Sequence, residues 1–147
     1  MTKPLNIVII GTGNVATHIG HSFQSIDHVN LVQGFNHRNS RESKQFSKQF
    51  NCDLVTDYLA INKNADIYII AVKDDAIAEV VKNLMPLKLK GILVHTSGSV
   101  DVSVLKIVSQ NIGVYYPLQT FYKGANIDWE TTPLLIEGNS KPVEVKL

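Results

Sequence analysis

Cysteine is nearly absent from this sequence. Cys52 stands alone among 147 residues, so no disulfide can form within the chain, which fits a reducing cytoplasm. A long hydrophobic run is also missing. The longest strictly apolar stretch, Ile67–Val72, falls far short of the ~20 residues that span a bilayer. The first residues carry one lysine and then Pro4, with neither an extended apolar segment nor a small-residue cleavage site, so no secretory signal is expected. Charge of one sign is lacking as well. Fourteen Lys and Arg against thirteen Asp and Glu leave a net charge of +1, which gives no electrostatic case for nucleic acid or an anionic membrane as partner. HExxH and paired CxxC motifs do not occur, and five scattered histidines with one cysteine do not make a zinc site, so no metal is expected. The absence of a GxSxG elbow leaves a Ser–His–Asp hydrolase without its usual scaffold.

What remains is ordinary for a globular chain, 44% hydrophobic and 18% charged, and the length suits one domain. Leu5–Ile10 is a short β-branched run between Pro4 and Gly11 and reads as a buried strand. Val15, Ile19 and Phe23 recur at intervals of four and make one helical stripe. Val29–Phe35 is a second strand. Ser40 is placed to cap a helix in which Phe46 and Phe50 share a face, and Cys52–Val55 reads as a short third strand. Ile67–Val72 is the clearest central strand. Asp74 or Asp75 would cap the next helix, whose Ile77, Val80, Val81 and Leu84 keep helical spacing until Pro86. Strands follow at Ile92–His95, Gly113–Tyr116 and Pro133–Ile136, with a helix between the first two, capped by Asp101 and carrying Val104, Leu105, Val108 and Ile112.

Strands alternate with helices, and most strands are continuously apolar. That pattern predicts an α/β fold of three layers, Rossmann-type, with a mostly parallel sheet and helices on both faces. Residues 1–138 form the expected α/β domain. Residues 139–147 read as the start of a helix with Ser140 as cap and Pro142 in its first turn, leading toward a C-terminal helical part not contained in the 147 residues.

Gly11-Thr12-Gly13-Asn14-Val15-Ala16 follows the first strand and opens the first helix, matching G-x-G-x-x-G/A. Gly11 allows the tight turn, Gly13 lets the backbone approach a pyrophosphate, and Ala16 permits close helix–sheet packing. Free N–H groups at the helix start would then bind the anion. The glycines alone are a weak signal, and their place between strand and helix makes it strong. An NAD site usually puts Asp or Glu about 20 residues further on. Here that stretch reads Phe35-Asn36-His37-Arg38-Asn39-Ser40, without a carboxylate. Asn36, Arg38 and Ser40 could instead donate hydrogen bonds to a 2′-phosphate, so NADP is the expected cofactor.

Ligands of open parallel sheets sit outside the carboxyl ends of the strands. Val72 and Lys73 would lie beside the cofactor there. His95 is the only histidine at a predicted strand end and can exchange a proton near neutral pH. It is the first candidate for polarising or protonating a substrate, with Lys73 second. Ser97 and Gly98, in the turn that follows, and Gln119, after Pro117, are candidates for touching the substrate.

Taken together, the segments at 11–18 (GTGNVATH), 69–77 (IIAVKDDAI), 94–100 (VHTSGSV) and 116–121 (YPLQTF) resemble the N-terminal Rossmann-like domain of a bacterial group of NADP oxidoreductases. That group is related to deazaflavin-dependent NADP oxidoreductases and pyrroline-5-carboxylate reductases. The resemblance covers nearly the whole chain. It implies hydride transfer between NADP and a small carbonyl, imine or deazaflavin-type substrate, and a helical second domain that completes the substrate site and forms a homodimer. The chain departs from the group by lacking that domain, so turnover is not expected of these residues alone. The readings weighed against this one are an NADP-binding sensor without turnover and a methyltransferase using S-adenosylmethionine. The second is disfavoured by Asn36 and Arg38, which stand where an acid would usually hold the ribose hydroxyls.

Overall fold

The computed structural model describes residues 2–147. Seven strands form one sheet: β1 (Leu5–Ile10), β2 (Val29–Phe35), β3 (Asp53–Val55), β4 (Ile67–Ile70), β5 (Ile92–His95), β6 (Ile112–Pro117) and β7 (Leu134–Gly138). Their order is β3-β2-β1-β4-β5-β6-β7. The first six are parallel, and β7 runs antiparallel to β6. Helices α1 (Asn14–Phe23) and α2 (Arg41–Phe50) cover one face. Helix α3 (Ile77–Leu84) and a 3-10 segment (Val102–Ile107) cover the other, and α4 (Lys141–Lys146) packs beside β6 and β7.

Alternation along the strands explains why they read as unbroken apolar runs. Ile7 and Ile9 pack toward α1 and α2 with Ile19, Phe23 and Phe46. Val8 and Ile10 point the other way and meet Ile77, Val80, Val81 and Leu84 of α3. Strands buried on both faces have no polar alternation to show. The register of β1 on β2 slips between Ile7 and Val8.

The expected fold class holds, and several local expectations are corrected. Asp74 and Asp75 do not cap α3. They lie inside a 3-10 turn (Asp74–Ala76) that precedes it, with Lys73 at its cap position. Ala71 and Val72 fall outside β4. Asp101 is a cap, accepting from the Ser103 N–H, but the segment after it is 3-10 and ends at Ile107. Ile112 opens β6. The reason lies at Ser109, whose hydroxyl donates to the Gly91 carbonyl and accepts from the Asn111 N–H, turning the chain before Ile112. Ser140 stands at the cap of α4 without a side-chain bond.

Candidate functional site

The strand order places α1 and α3 on opposite faces where β1 meets β4, which opens a cleft outside the strand ends. Its volume is about 870 Å³, within the usual range for a ligand site. Gly11–Val15 form its floor. Gly11 has φ +109°, and a Cβ there would stand 2.3 Å from the Ala71 carbonyl oxygen, so the turn from β1 to α1 requires glycine. Gly13 has no atom within 4 Å of a virtual Cβ. It opens α1 without a side-chain cap, and the first turn of α1 carries no acid. The N–H groups of that turn are therefore available to an anion, whose charge the helix dipole favours. Ala16 is fully buried against the sheet, as its place in the motif predicts.

The exit of β2 forms one side. Asn36 Nδ2 donates to Thr12 Oγ1 at 2.8 Å, and Asn36 Oδ1 accepts from the Arg38 N–H. Asn36 thus braces the glycine loop from the neighbouring strand, a role its sequence position did not reveal. Ser40 is engaged elsewhere. Its hydroxyl caps α2 through the Ser43 N–H, and Ser43 reciprocates to the Ser40 N–H. Ser40 is not among the residues that line the cleft. His37 lines the cleft, while Arg38 beside it is exposed and is not among the lining residues.

Val72, Lys73, Asp74, Thr96 and Phe121 line the opposite end. Phe121 lies over α1: its ring is 5.3 Å from that of His18, whose Nε2 bonds the Tyr122 carbonyl. Gln119 is exposed and does not line the cleft; its N–H is bonded to the Pro117 carbonyl. Sequence reasoning passed over Phe121, and also Tyr58 and Glu79 on the β2 side. The only signal for Phe121 was an aromatic two residues beyond Gln119. Tyr58 sits in a weakly patterned connection and is brought there by stacking on Phe35, with ring centroids 4.2 Å apart.

His95 does not reach the cleft. It has no exposed surface. Its Nδ1 accepts the Ser97 N–H at 3.1 Å, so in the neutral ring the proton sits on Nε2, an atom with no partner among the described residues. Burial pushes the His95 pKa below its ordinary value, partly opposed by the backbone of Val100. Ser97 is buried too, and its hydroxyl accepts from Ser99 and Val100 N–H. Gly98 is exposed, with the Tyr116 ring filling the space a side chain would take. The three residues form a braced turn, and their chemistry is inward. No group of three or more potential metal ligands occurs among the described residues.

A depressed folded pKa fixes the sign of the pH dependence. As pH falls below about 6.5, the unfolded chain takes up the proton before folded His95 does, so stability is lost toward acid. Urea unfolding from pH 7.5 to 5 should show a steeper loss for the wild-type chain than for His95→Asn, which keeps an acceptor near Nδ1 but does not titrate. Equal slopes would remove His95 as the cause.

Residues 5–94, more than half of the chain, match the GFO/IDH/MocA oxidoreductase family, NAD-binding Rossmann fold. The chain belongs to this family. Comparison with curated protein sequences gave no match. Among solved structures, a Bacteroides fragilis protein provisionally named an NADP oxidoreductase superposes with TM-score 0.87 at 28% identity, covering 97% of this chain and 54% of that one. A pyrroline-5-carboxylate reductase of Coxiella burnetii gives TM-score 0.66 at 18% identity, over 87% of this chain and 53% of that one. The Plasmodium falciparum pyrroline carboxylate reductase with NADP bound gives 0.63 at 14%, over 86% and 51%. At these identities the two reductases show a shared fold. The chain spans about half the length of each of the three structures.

Proposed function

We propose that this chain binds NADP in the cleft and is the cofactor domain of an oxidoreductase acting on a small carbonyl, imine or deazaflavin-type substrate. The observation that carries the choice of NADP is the exit of β2. No carboxylate occurs from Phe35 to Arg41, His37 lines the cleft, and Arg38, the next residue, is exposed without an ion pair among the described residues. A 2′-phosphate at that loop would meet N–H donors and the Arg38 guanidinium, while Glu79 of α3 stands beside Tyr58 on the same side of the cleft. The names of the Bacteroides and Plasmodium proteins agree with that choice.

Bound NADPH supplies the hydride. The chain's own residues bind and orient it. The first turn of α1 holds the pyrophosphate, Asn36 keeps Thr12 and the loop in place, and Val72 and Phe121 enclose the nicotinamide end. Lys73, exposed at that end, is the group placed to polarise or protonate a substrate. His95 acts through the turn it braces. The remaining length found in the relatives would complete the substrate site and the homodimer of a full-length protein.

Arg38→Ala should weaken NADPH binding about 10-fold, the worth of one hydrogen bond to a charged group, and leave NADH binding unchanged. Isothermal titration reads both constants. An unchanged NADPH/NADH ratio would overturn the assignment of the 2′-phosphate to this loop.

A further inference from the structure

The cleft contains a feature that its proposed ligand does not explain. NADPH is a polyanion, and a carboxylate in its site is repelled by it. Yet two carboxylates line the cleft, Glu79 on the β2 side and Asp74 on the other, and Asp74, though exposed, is held by a hydrogen bond. Ser99 Oγ donates to Asp74 Oδ2 at 2.8 Å. Among the described residues, Asp74 Oδ1 receives no hydrogen bond. Ser99 is itself held. Its N–H is bound by Ser97 Oγ, and the Ser97 N–H is bound by the buried His95 Nδ1. A chain of hydrogen bonds therefore runs from the sheet interior at β5, through the turn after it, to one carboxylate after β4.

The topology gives this carboxylate its place along the ligand. The glycine loop marks the pyrophosphate. Asn36, His37 and Tyr58 lie on the β2 side of it and take the adenosine half. Asp74, bonded across the gap between the ends of β4 and β5, lies on the opposite side. A carboxylate accepts hydrogen bonds and donates none, so the ligand group that meets it must be a donor. On that half of a dinucleotide the nearest donors to the phosphates are the ribose hydroxyls.

We propose that Asp74 is a cofactor-binding residue that accepts hydrogen bonds from the hydroxyls of the nicotinamide ribose, and that Ser99 is the positioning residue that aims it. The inference rests on the NADP reading above. It adds a specificity element: the cleft recognises the second ribose as well as the 2′-phosphate, and discriminates against mononucleotides that lack it.

The test compares two probes on the full 147-residue chain. NADPH carries the nicotinamide ribose, and 2′,5′-ADP does not. Asp74→Asn should weaken NADPH binding about 10-fold or more and leave 2′,5′-ADP binding unchanged or slightly tighter, since one repulsive charge is gone. Ser99→Ala should weaken NADPH binding about 3-fold, again with no effect on 2′,5′-ADP, and Ser99→Thr should restore it. A general loosening of the turn would not sort the probes by the ribose they carry. Equal weakening of both probes, or NADPH binding unchanged or tightened in Asp74→Asn, would overturn the inference and leave the NADP reading standing. Failure of both probes to bind the wild-type chain would instead overturn the NADP reading itself.

Discussion

Gly13→Asp should leave the fold intact and weaken NADPH binding at least 100-fold. The two effects separate because the structural and chemical demands at this position differ. A side chain at residue 13 meets no atom within 4 Å, and the backbone there, φ −83°, suits any residue. Aspartate is moreover a favoured helix N-cap, so α1 should gain a few tenths of a kcal/mol or more over glycine. The same carboxylate would stand where the pyrophosphate is to sit. Two unit charges about 4 Å apart repel by about 4 kcal/mol near a protein surface, and every 1.4 kcal/mol is a factor of about ten. Thermal unfolding and titration on one sample read both quantities. Gly11→Ala is the contrasting variant. At φ +109° and 2.3 Å from the Ala71 carbonyl, it should lower the melting temperature sharply. Should Gly13→Asp bind NADPH as the wild-type chain does, the phosphates do not lie on α1.

His95→Ala should cost about 2–4 kcal/mol of folding stability. The ring is fully buried between the sheet and the turn that follows β5. Its removal leaves a cavity and strips the Ser97 N–H of its acceptor. His95→Asn, which restores an acceptor near Nδ1, should recover part of the loss. Urea denaturation midpoints at pH 7.5 measure the order: wild type above Asn above Ala. If Ala and wild type unfold at the same midpoint, the histidine has no structural role and its burial needs another account.

The centre of the sheet was legible in the sequence because β1, β4 and β5 are buried on both faces. Leu5–Ile10, Val29–Phe35 and Ile92–His95 stand out as short, largely apolar segments, and the structure returns those bounds. The glycine loop was legible for a related reason: its residues answer to backbone geometry, which sequence spacing encodes directly. Where side chains choose between partners, sequence position said less. Ser40 faces either a ligand or the α2 backbone, and the Ser43 N–H three residues on wins. Asn36 turns to Thr12, 24 residues away in sequence. His95 sits at a strand end, as a catalytic histidine would, but the alternation of β5 puts it on the same face as Leu93, inside the core with α3. A strand end says how far along the sheet a residue lies and not how deep. Tyr58 and Phe121 come from irregular segments, where no periodicity forecasts which side chain turns inward.

NADP is the proposed occupant of the cleft at the β1–β4 crossover. Calorimetric titration of the 147-residue chain with NADPH and with NADH tests it most directly. One site per chain is expected, with NADPH bound about 10-fold or more tighter than NADH, because the loop after β2 offers N–H donors and the Arg38 guanidinium to the 2′-phosphate. Tighter binding of NADH, or heat from neither cofactor, would contradict it.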